Sequence, residues 1–345
     1  MTRDRPPRKT LAVMAVLLVS IIIFVSPTLV SPASAAPNAD STSSTTVSAS
    51  SSGSVSSFPV GISPGSGYET EFEYLGASAQ AAQIALMKAD GVKWLRVDVF
   101  CGEPYTSLIS QAEHAGIQVD ALVTNVCGAQ TPADFASAAT QAVKTLEPLG
   151  VQTFEVFNEP NCQGVSAQSY TAILKAAYTA LVTADPSAFV LAGGLCPNTG
   201  SYEPYTYLQA MYADGAKGYF DAANLHPYSY PDTPLQTSAS WNPWTYLPEL
   251  HTIMANNGDG SKKIWLTEFG CPTGTAAGLP ADCTPTTEGQ QITDAFDKAS
   301  GLTWIGGLFV FSWQDDATDG DFGLYTSSGV AKTSALAAFK AAAGV

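Results

Sequence analysis

From Phe58 onward, short β-branched or apolar runs alternate with Ala-rich stretches in which apolar residues recur every three or four positions. The runs read as strands are Val60–Ser63, Trp94–Val99, Gln118–Val123, Thr153–Glu159, Phe189–Gly194, Ala223–Tyr228, Ile264–Phe269 and Leu308–Trp313. Ser78–Lys88, Ser107–Ala115, Pro132–Leu146, Ser166–Thr183 and Thr333–Ala343 carry the Ala, Leu, Lys and Gln that favour helix. Eight such strands alternating with helices over about 285 residues fit a single α/β domain, a closed (β/α)8 TIM barrel. A doubly wound open sheet is the competitor. It would carry a Gly-rich phosphate turn after its first strand, and Val60-Gly61-Ile62-Ser63-Pro64-Gly65 lacks the GxGxxG pattern.

The sequence ahead of this region has a different character. Arg3, Arg5, Arg8 and Lys9 precede an apolar run from Leu11 to Val30, and Ala33-Ser34-Ala35-Ala36 then offers a small-residue cleavage site. Residues 1–36 are therefore expected to be a secretory signal, with an uncleaved membrane anchor as the alternative. Residues 37–58 are almost entirely Ser, Thr, Ala, Val and Gly, too poor in large apolar groups to offset ordering entropy, and read as a linker. Residues 59–345 are left as the catalytic domain. The expected location is extracellular or at the cell envelope, with membrane attachment only if the signal stays uncut.

A formal net charge of −15 argues against nucleic acid or anionic lipid as a partner, since both demand a basic surface. A monomer is expected. All six cysteines follow residue 100, and export makes disulfides the default. Their spacing lacks a CxxC pair and the three histidines are scattered, so no metal or other cofactor is expected.

In a barrel of this kind the chemistry sits where the strands' carboxyl ends emerge. Glu159, His226, Tyr228, Glu268 and Trp313 all lie at or just past a strand-like run. Five cysteines also follow strands, and Cys283 lies in the loop after the seventh. Cys101–Cys127, Cys162–Cys196 and Cys271–Cys283 are the pairings expected, each joining loops that are adjacent or the same, although six cysteines allow fifteen connectivities. Glu159 and Glu268 stand 109 positions apart, so only a fold can join them. Two carboxylates at such positions are the minimal equipment for cleaving a glycosidic bond.

Asn158-Glu159-Pro160 closing the fourth run and Thr267-Glu268-Phe269-Gly270 closing the seventh resemble the signature of clan A retaining glycoside hydrolases, families 5 and 39 among them. The likeness extends in element order over the region after the linker, and its specific motifs amount to some thirty residues. It implies that Glu159 is the general acid/base and Glu268 the nucleophile. It also implies that Asn158 binds a sugar hydroxyl, that Tyr228 of His226-Pro227-Tyr228 donates to Glu268, and that His226 lines the sugar site. Trp313 would be an aromatic floor beneath the ring. Arg96, a charge inside an apolar strand, must be paired; Glu268, Asp98 and Glu155 are the open choices. Family 5 members commonly carry a His after the third strand, where this chain has Val123-Thr124-Asn125-Val126-Cys127, and Asn125 is the substitute hydroxyl partner.

Other features leave two readings open. Tyr68, Phe72, Tyr74, Tyr202, Tyr205, Tyr207, Trp241, Trp244 and Tyr246 either build sugar subsites or cover helix ends. The acidic run Asp315–Asp321 looks like a calcium loop but lacks the alternate-acid spacing and closing glutamate of an EF-hand. The sequence therefore points to a secreted glycosidase acting on an oligo- or polysaccharide. A non-hydrolytic carbohydrate-binding barrel and a transglycosylase are the alternatives.

Overall fold

Eight parallel strands form one sheet: β1 Val60–Ser63, β2 Trp94–Val99, β3 Gln118–Val123, β4 Thr153–Val156, β5 Phe189–Ala192, β6 Ala223–Asn224, β7 Ile264–Leu266 and β8 Ile305–Phe311. Their order is β5-β4-β3-β2-β1-β8-β7-β6. Parallel bridges Leu191↔Ala222 and Leu195↔Leu225 join the two ends, closing the sheet into a (β/α)8 barrel. This computed structural model describes residues 58–99, 105–124, 131–236, 241–275, 282–316 and 320–345. The expected signal segment, the linker up to residue 57, Asn125 and the Cys101–Cys127 pair lie outside the described residues. Among the described residues no helix is long and apolar enough to cross a membrane.

The helices are α1 Ser66–Tyr74, α2 Ala77–Ala89, α3 Thr106–Ala115, α4 Pro132–Leu146, α5 Ala167–Ala184, α6 Pro204–Ala213, α7 Pro243–Asn256, α8 Pro285–Ser300 and α9 Thr333–Ala343. Two have starts written in the sequence. Thr131 and Thr284 each accept a bond from the backbone N–H three residues on, with Pro at the first helical position. Between sheet and helices lies the main core, where Ile62, Leu95 and Val97 meet Phe72, Leu108, Phe135, Leu174, Trp244 and Phe339. Burying each of these large side chains contributes roughly 1.5–3 kcal/mol.

The barrel interior is layered, and period-two alternation explains how. At the bottom Trp94, Trp265 and Phe309 pack with Leu191 and Ala222; Trp94 meets Trp265 edge-on at 5.1 Å. Two residues further along the same strands stand Arg96, Thr267 and Phe311. An apolar plug thus supports a polar layer at the end where the loops begin.

The first three strands have the expected bounds. β4, β5, β6 and β7 stop two to four residues earlier than the apolar runs suggest, and β8 spans Ile305–Phe311 rather than Leu308–Trp313. For β4 the reason is conformational: Phe157 (φ 74°) and Glu159 (φ 48°) turn left-handed and break the ladder while the sequence stays apolar. Most of the expected loop aromatics belong to helices. Phe72, Tyr207 and Trp244 are buried under them, and only Tyr74 and Trp241 are largely exposed. Covering the barrel is their work, which replaces the subsite reading for the buried ones.

Disulfides join Cys162 to Cys196 and Cys271 to Cys283, both as expected. Asp315, in the acidic run, is held by a cation of the protein itself. The buried Lys332 ammonium donates to Asp315 (3.0 Å), Glu288 (2.9 Å), Thr273 Oγ1 (2.9 Å) and the Asp321 carbonyl (3.0 Å).

Candidate active site

Glu159 reaches its place through an unusual strand exit. Two non-glycine residues in the left-handed region, Phe157 and Glu159, cost roughly 1–3 kcal/mol each. Packing offsets this: Phe157 is fully buried, stacks on Phe135 at 5.3 Å, and donates its N–H to the Val123 carbonyl at 3.0 Å. Its own carbonyl crowds β5, so that a Cβ at position 193 would lie 2.3 Å from it; only glycine fits there. The side chain of Glu159 ends up 25% exposed.

Glu268 follows β7 and is held from three sides. Its Oε1 accepts from Arg96 Nη1 at 2.6 Å, its Oε2 accepts from the Tyr228 hydroxyl at 2.8 Å, and His226 Nδ1 lies 3.6 Å from Oε2. Burial pushes the carboxyl up, but His226 and Arg96, with the Tyr228 hydrogen bond, overcome it and hold Glu268 below the ordinary carboxylate value. It is therefore ionised at neutral pH. Burial and the same carboxylate raise the Tyr228 phenol well above its usual value, so it remains a donor.

Arg96 resolves the choice of partners by taking two. Its fork donates to Glu155 from Nε (2.7 Å) and Nη2 (3.0 Å), while Nη1 serves Glu268 and Nη2 also reaches Asn158 Oδ1 at 2.9 Å. Asp98 adds its charge to the Arg96 surroundings, and its backbone N–H donates to the Glu69 carboxylate at 3.2 Å. Beside Glu155 on the neighbouring strand, fully buried Asp120 is pushed well above the carboxylate range by burial and by the Glu155 charge. Asn158 turns its amide oxygen to Arg96, so its NH2 group is the end free to donate towards the opening.

His226 differs from expectation. It is fully buried rather than exposed at the opening; its Nδ1 bonds Glu159 Oε1 at 2.9 Å and its Nε2 bonds Thr267 Oγ1 at 3.0 Å. Thr267 is fixed in turn by Asn224 Nδ2 at 2.7 Å. Burial alone would lower the imidazole pKa, yet the Glu268 charge and the Glu159 hydrogen bond raise it above the ordinary value. Room for the ring comes from Gly194, where a Cβ would stand 2.1 Å from Nε2.

Trp313 is a second departure. Its indole is 1% exposed and packs on Tyr325 at 4.9 Å, which leaves no face for a saccharide. Tyr228, which bonds Glu268, packs edge-on against Tyr230 and Phe322, with Phe311 against Phe322 at 5.4 Å. Phe311 was legible as the residue two positions beyond Phe309 on the inward face; Tyr230 and Phe322 lie on loops that carried no periodic signal.

One oxygen from each of Glu159 and Glu268 and a ring nitrogen of His226 lie within 4.8 Å of one another. Such a trio is a possible donor set for a divalent ion, but each member is already engaged, and the Arg96 guanidinium supplies the neutralising charge. Glu159, Cys162 and Cys196 form a second close group, in which the sulfurs are joined to each other and offer no thiolate. What the main trio can do is hold one carboxylate ionised while the other faces the opening.

Comparison with known proteins bears on this arrangement. A search of curated proteins finds no match. Among solved structures, the chain is similar to a GH39 enzyme from Xanthomonas axonopodis pv. citri (14% identity, TM-score 0.58, covering 76% of this chain and 62% of that one). It is also similar to a monomeric β-xylosidase from Caulobacter crescentus CB15 (13%, 0.58, 82% and 67%). A GH2 β-galacturonidase from Eisenbergiella tayi matches as well (16%, 0.55), where the chain spans 78% of itself and about half, 48%, of that protein. At these identities the likeness carries the fold. A sequence model described as "Glycosyl hydrolase catalytic core" matches residues 114–339, most of the barrel and both strand-end glutamates, and the chain belongs to that family.

Proposed function

We propose that the protein is an exported, retaining glycoside hydrolase that cleaves β-glycosidic bonds of an oligo- or polysaccharide by double displacement. The observation that carries this reading is that one carboxylate oxygen of Glu159 and one of Glu268 lie within 4.8 Å of each other. Retaining pairs stand about 5–5.5 Å apart, whereas inverting pairs leave roughly 6.5–9.5 Å for a water.

The surroundings assign the roles. Glu268, ionised and fixed by Arg96 and Tyr228, attacks the anomeric carbon and forms the glycosyl-enzyme bond. Glu159, the more exposed of the two, gives its proton to the departing oxygen as that bond breaks. Acylal formation removes the charge of Glu268. Glu159, now a carboxylate beside His226, takes a proton from water, whose oxygen displaces Glu268 and restores both groups. Asn158 binds a hydroxyl of the sugar at the cleavage point. Tyr228, Tyr230 and Phe322 offer ring surface beside it.

Glu268→Ala, assayed with activated β-glycosides, should lose essentially all turnover and regain it in azide as the α-glycosyl azide. Products formed by the parent enzyme, followed by NMR, should appear first as β anomers. An α product at the first time point would exclude double displacement on a β substrate. The structural neighbours include a β-xylosidase, a β-galacturonidase and a β-glucuronidase, which makes β-xylosides and β-uronides natural members of the screening panel beside β-glucosides.

A further inference from the structure

We propose that the Cys162–Cys196 disulfide, together with Asn161, is the positioning device of the general acid Glu159, and this rests on the role assigned to Glu159 above. The turn that carries Glu159 is a tight unit. Cys162 and Gln163 donate their N–H groups to the Glu159 carbonyl at 2.9 and 3.0 Å, and the Gln163 side chain donates to the Asn158 carbonyl at 2.7 Å. Those contacts are internal and do not fix the turn to the barrel.

Arg96 holds Asn158 and His226 holds the Glu159 carboxylate, while the attachments of Asn161 and Cys162 run to one segment, the loop after β5. The disulfide is one of them. Asn161, 1% exposed, donates to the Cys196 carbonyl and the Tyr202 carbonyl, both at 2.8 Å, and accepts from the Cys196 N–H at 3.1 Å. Asn198 returns a bond to the Asn161 carbonyl at 3.0 Å. Both sulfurs and a Glu159 carboxylate oxygen lie within 4.8 Å of one another, so the bridge packs against the acid itself.

The same segment holds the acid's partner. Leu195 accepts the His226 N–H at 2.8 Å, and the His226 ring bonds Glu159 at 2.9 Å. A closed circuit results: Glu159 to Cys162, across the bridge to Cys196, to Leu195, to His226, and back to Glu159. A left-handed residue at φ 48° is disfavoured on its own and persists where its surroundings over-determine it. Opening the circuit frees the turn to relax and moves the carboxyl away from the leaving oxygen. The nucleophile is held by a separate set, Arg96 and Tyr228, and stays in place.

The test compares leaving groups. Parent enzyme, Cys162→Ala/Cys196→Ala, Asn161→Asp and Glu159→Ala are assayed on phenyl and 2,4-dinitrophenyl β-glycosides of glucose, xylose and glucuronic acid and of β-linked glucose disaccharides. Phenoxide needs protonation to leave and dinitrophenoxide does not. Both brace variants should lose about 10- to 100-fold in kcat/KM on the phenyl substrate and less than about threefold on the dinitrophenyl one. Equal losses on both substrates, or no loss on either, overturn the brace. Loss of the leaving-group contrast in Glu159→Ala would instead indict the acid assignment, leaving a distinct signature. Amide hydrogen exchange gives a readout that needs no substrate. The disulfide variant should exchange faster at Cys162→Ala's own position, Gln163 and His226, while Leu266 stays protected, and unchanged exchange at all of these overturns the proposal.

Discussion

Tyr228→Phe isolates one bond to Glu268, the proposed nucleophile. The phenol donates to Glu268 Oε2 at 2.8 Å, and its removal leaves that oxygen with only His226, 3.6 Å away; Oε1 keeps Arg96 at 2.6 Å. A hydrogen bond to a charged group contributes about 1.5–3 kcal/mol. At about 1.4 kcal/mol per decade this corresponds to a loss of roughly 10- to 100-fold in kcat/KM, if the bond also orients the attacking carboxylate. The pH profile should change with it. Glu268 is held below the ordinary carboxylate value, so its stabilising contribution is present above the unfolded pKa and disappears as pH falls through the folded one. Without the phenol the folded pKa rises, and both the acidic limb of kcat/KM and the acid-unfolding midpoint move to higher pH. Stopped assays across pH 3–7, paired with urea denaturation at each pH, measure the two. An unmoved acidic limb with less than a threefold change in rate would show that Glu268 does not depend on Tyr228, and would falsify its assignment as the tuned nucleophile.

Gly194→Ala places a methyl 2.1 Å from His226 Nε2. The ring must shift off Glu159, so activity should fall about 100-fold with a stability loss of only about 1–3 kcal/mol, read by assay and by urea denaturation together. Lys332→Met strands Glu288 and Asp315 in a buried site and should cost about 3–5 kcal/mol of stability. Lys332→Met/Glu288→Met should recover much of that loss in the same denaturation experiment, because one of the two buried carboxyl groups left without its donor is gone.

Strand identity and order were readable because alternation of apolar runs with helical stretches is a local property, and β1, β2 and β3 have the bounds their sequences suggest. Where β4 to β7 end was not readable. Phe154-Glu155-Val156-Phe157 is one apolar-rich run, yet a left-handed Phe157 ends the ladder partway through it, held there by Phe135 and by the space left at Gly193. His226 and Trp313 were misplaced for a related reason. A residue at a strand end can point into the opening or into the wall, and only the packing of Thr267, Gly194 and Tyr325 decided which.

By itself the sequence pointed to the barrel and to the segments following β4 and β7 as the carriers of Glu159 and Glu268, and two of its three expected cysteine pairs, Cys162–Cys196 and Cys271–Cys283, are present. Tertiary structure alone decided how far apart the carboxylates stand, which of them is held ionised, and that Arg96 serves Glu155, Asn158 and Glu268 at once. Those contacts join positions 59, 62 and 172 residues apart. Local periodicity records which way a side chain faces on its own strand, whereas a charge's neighbours are set by closure of the ring.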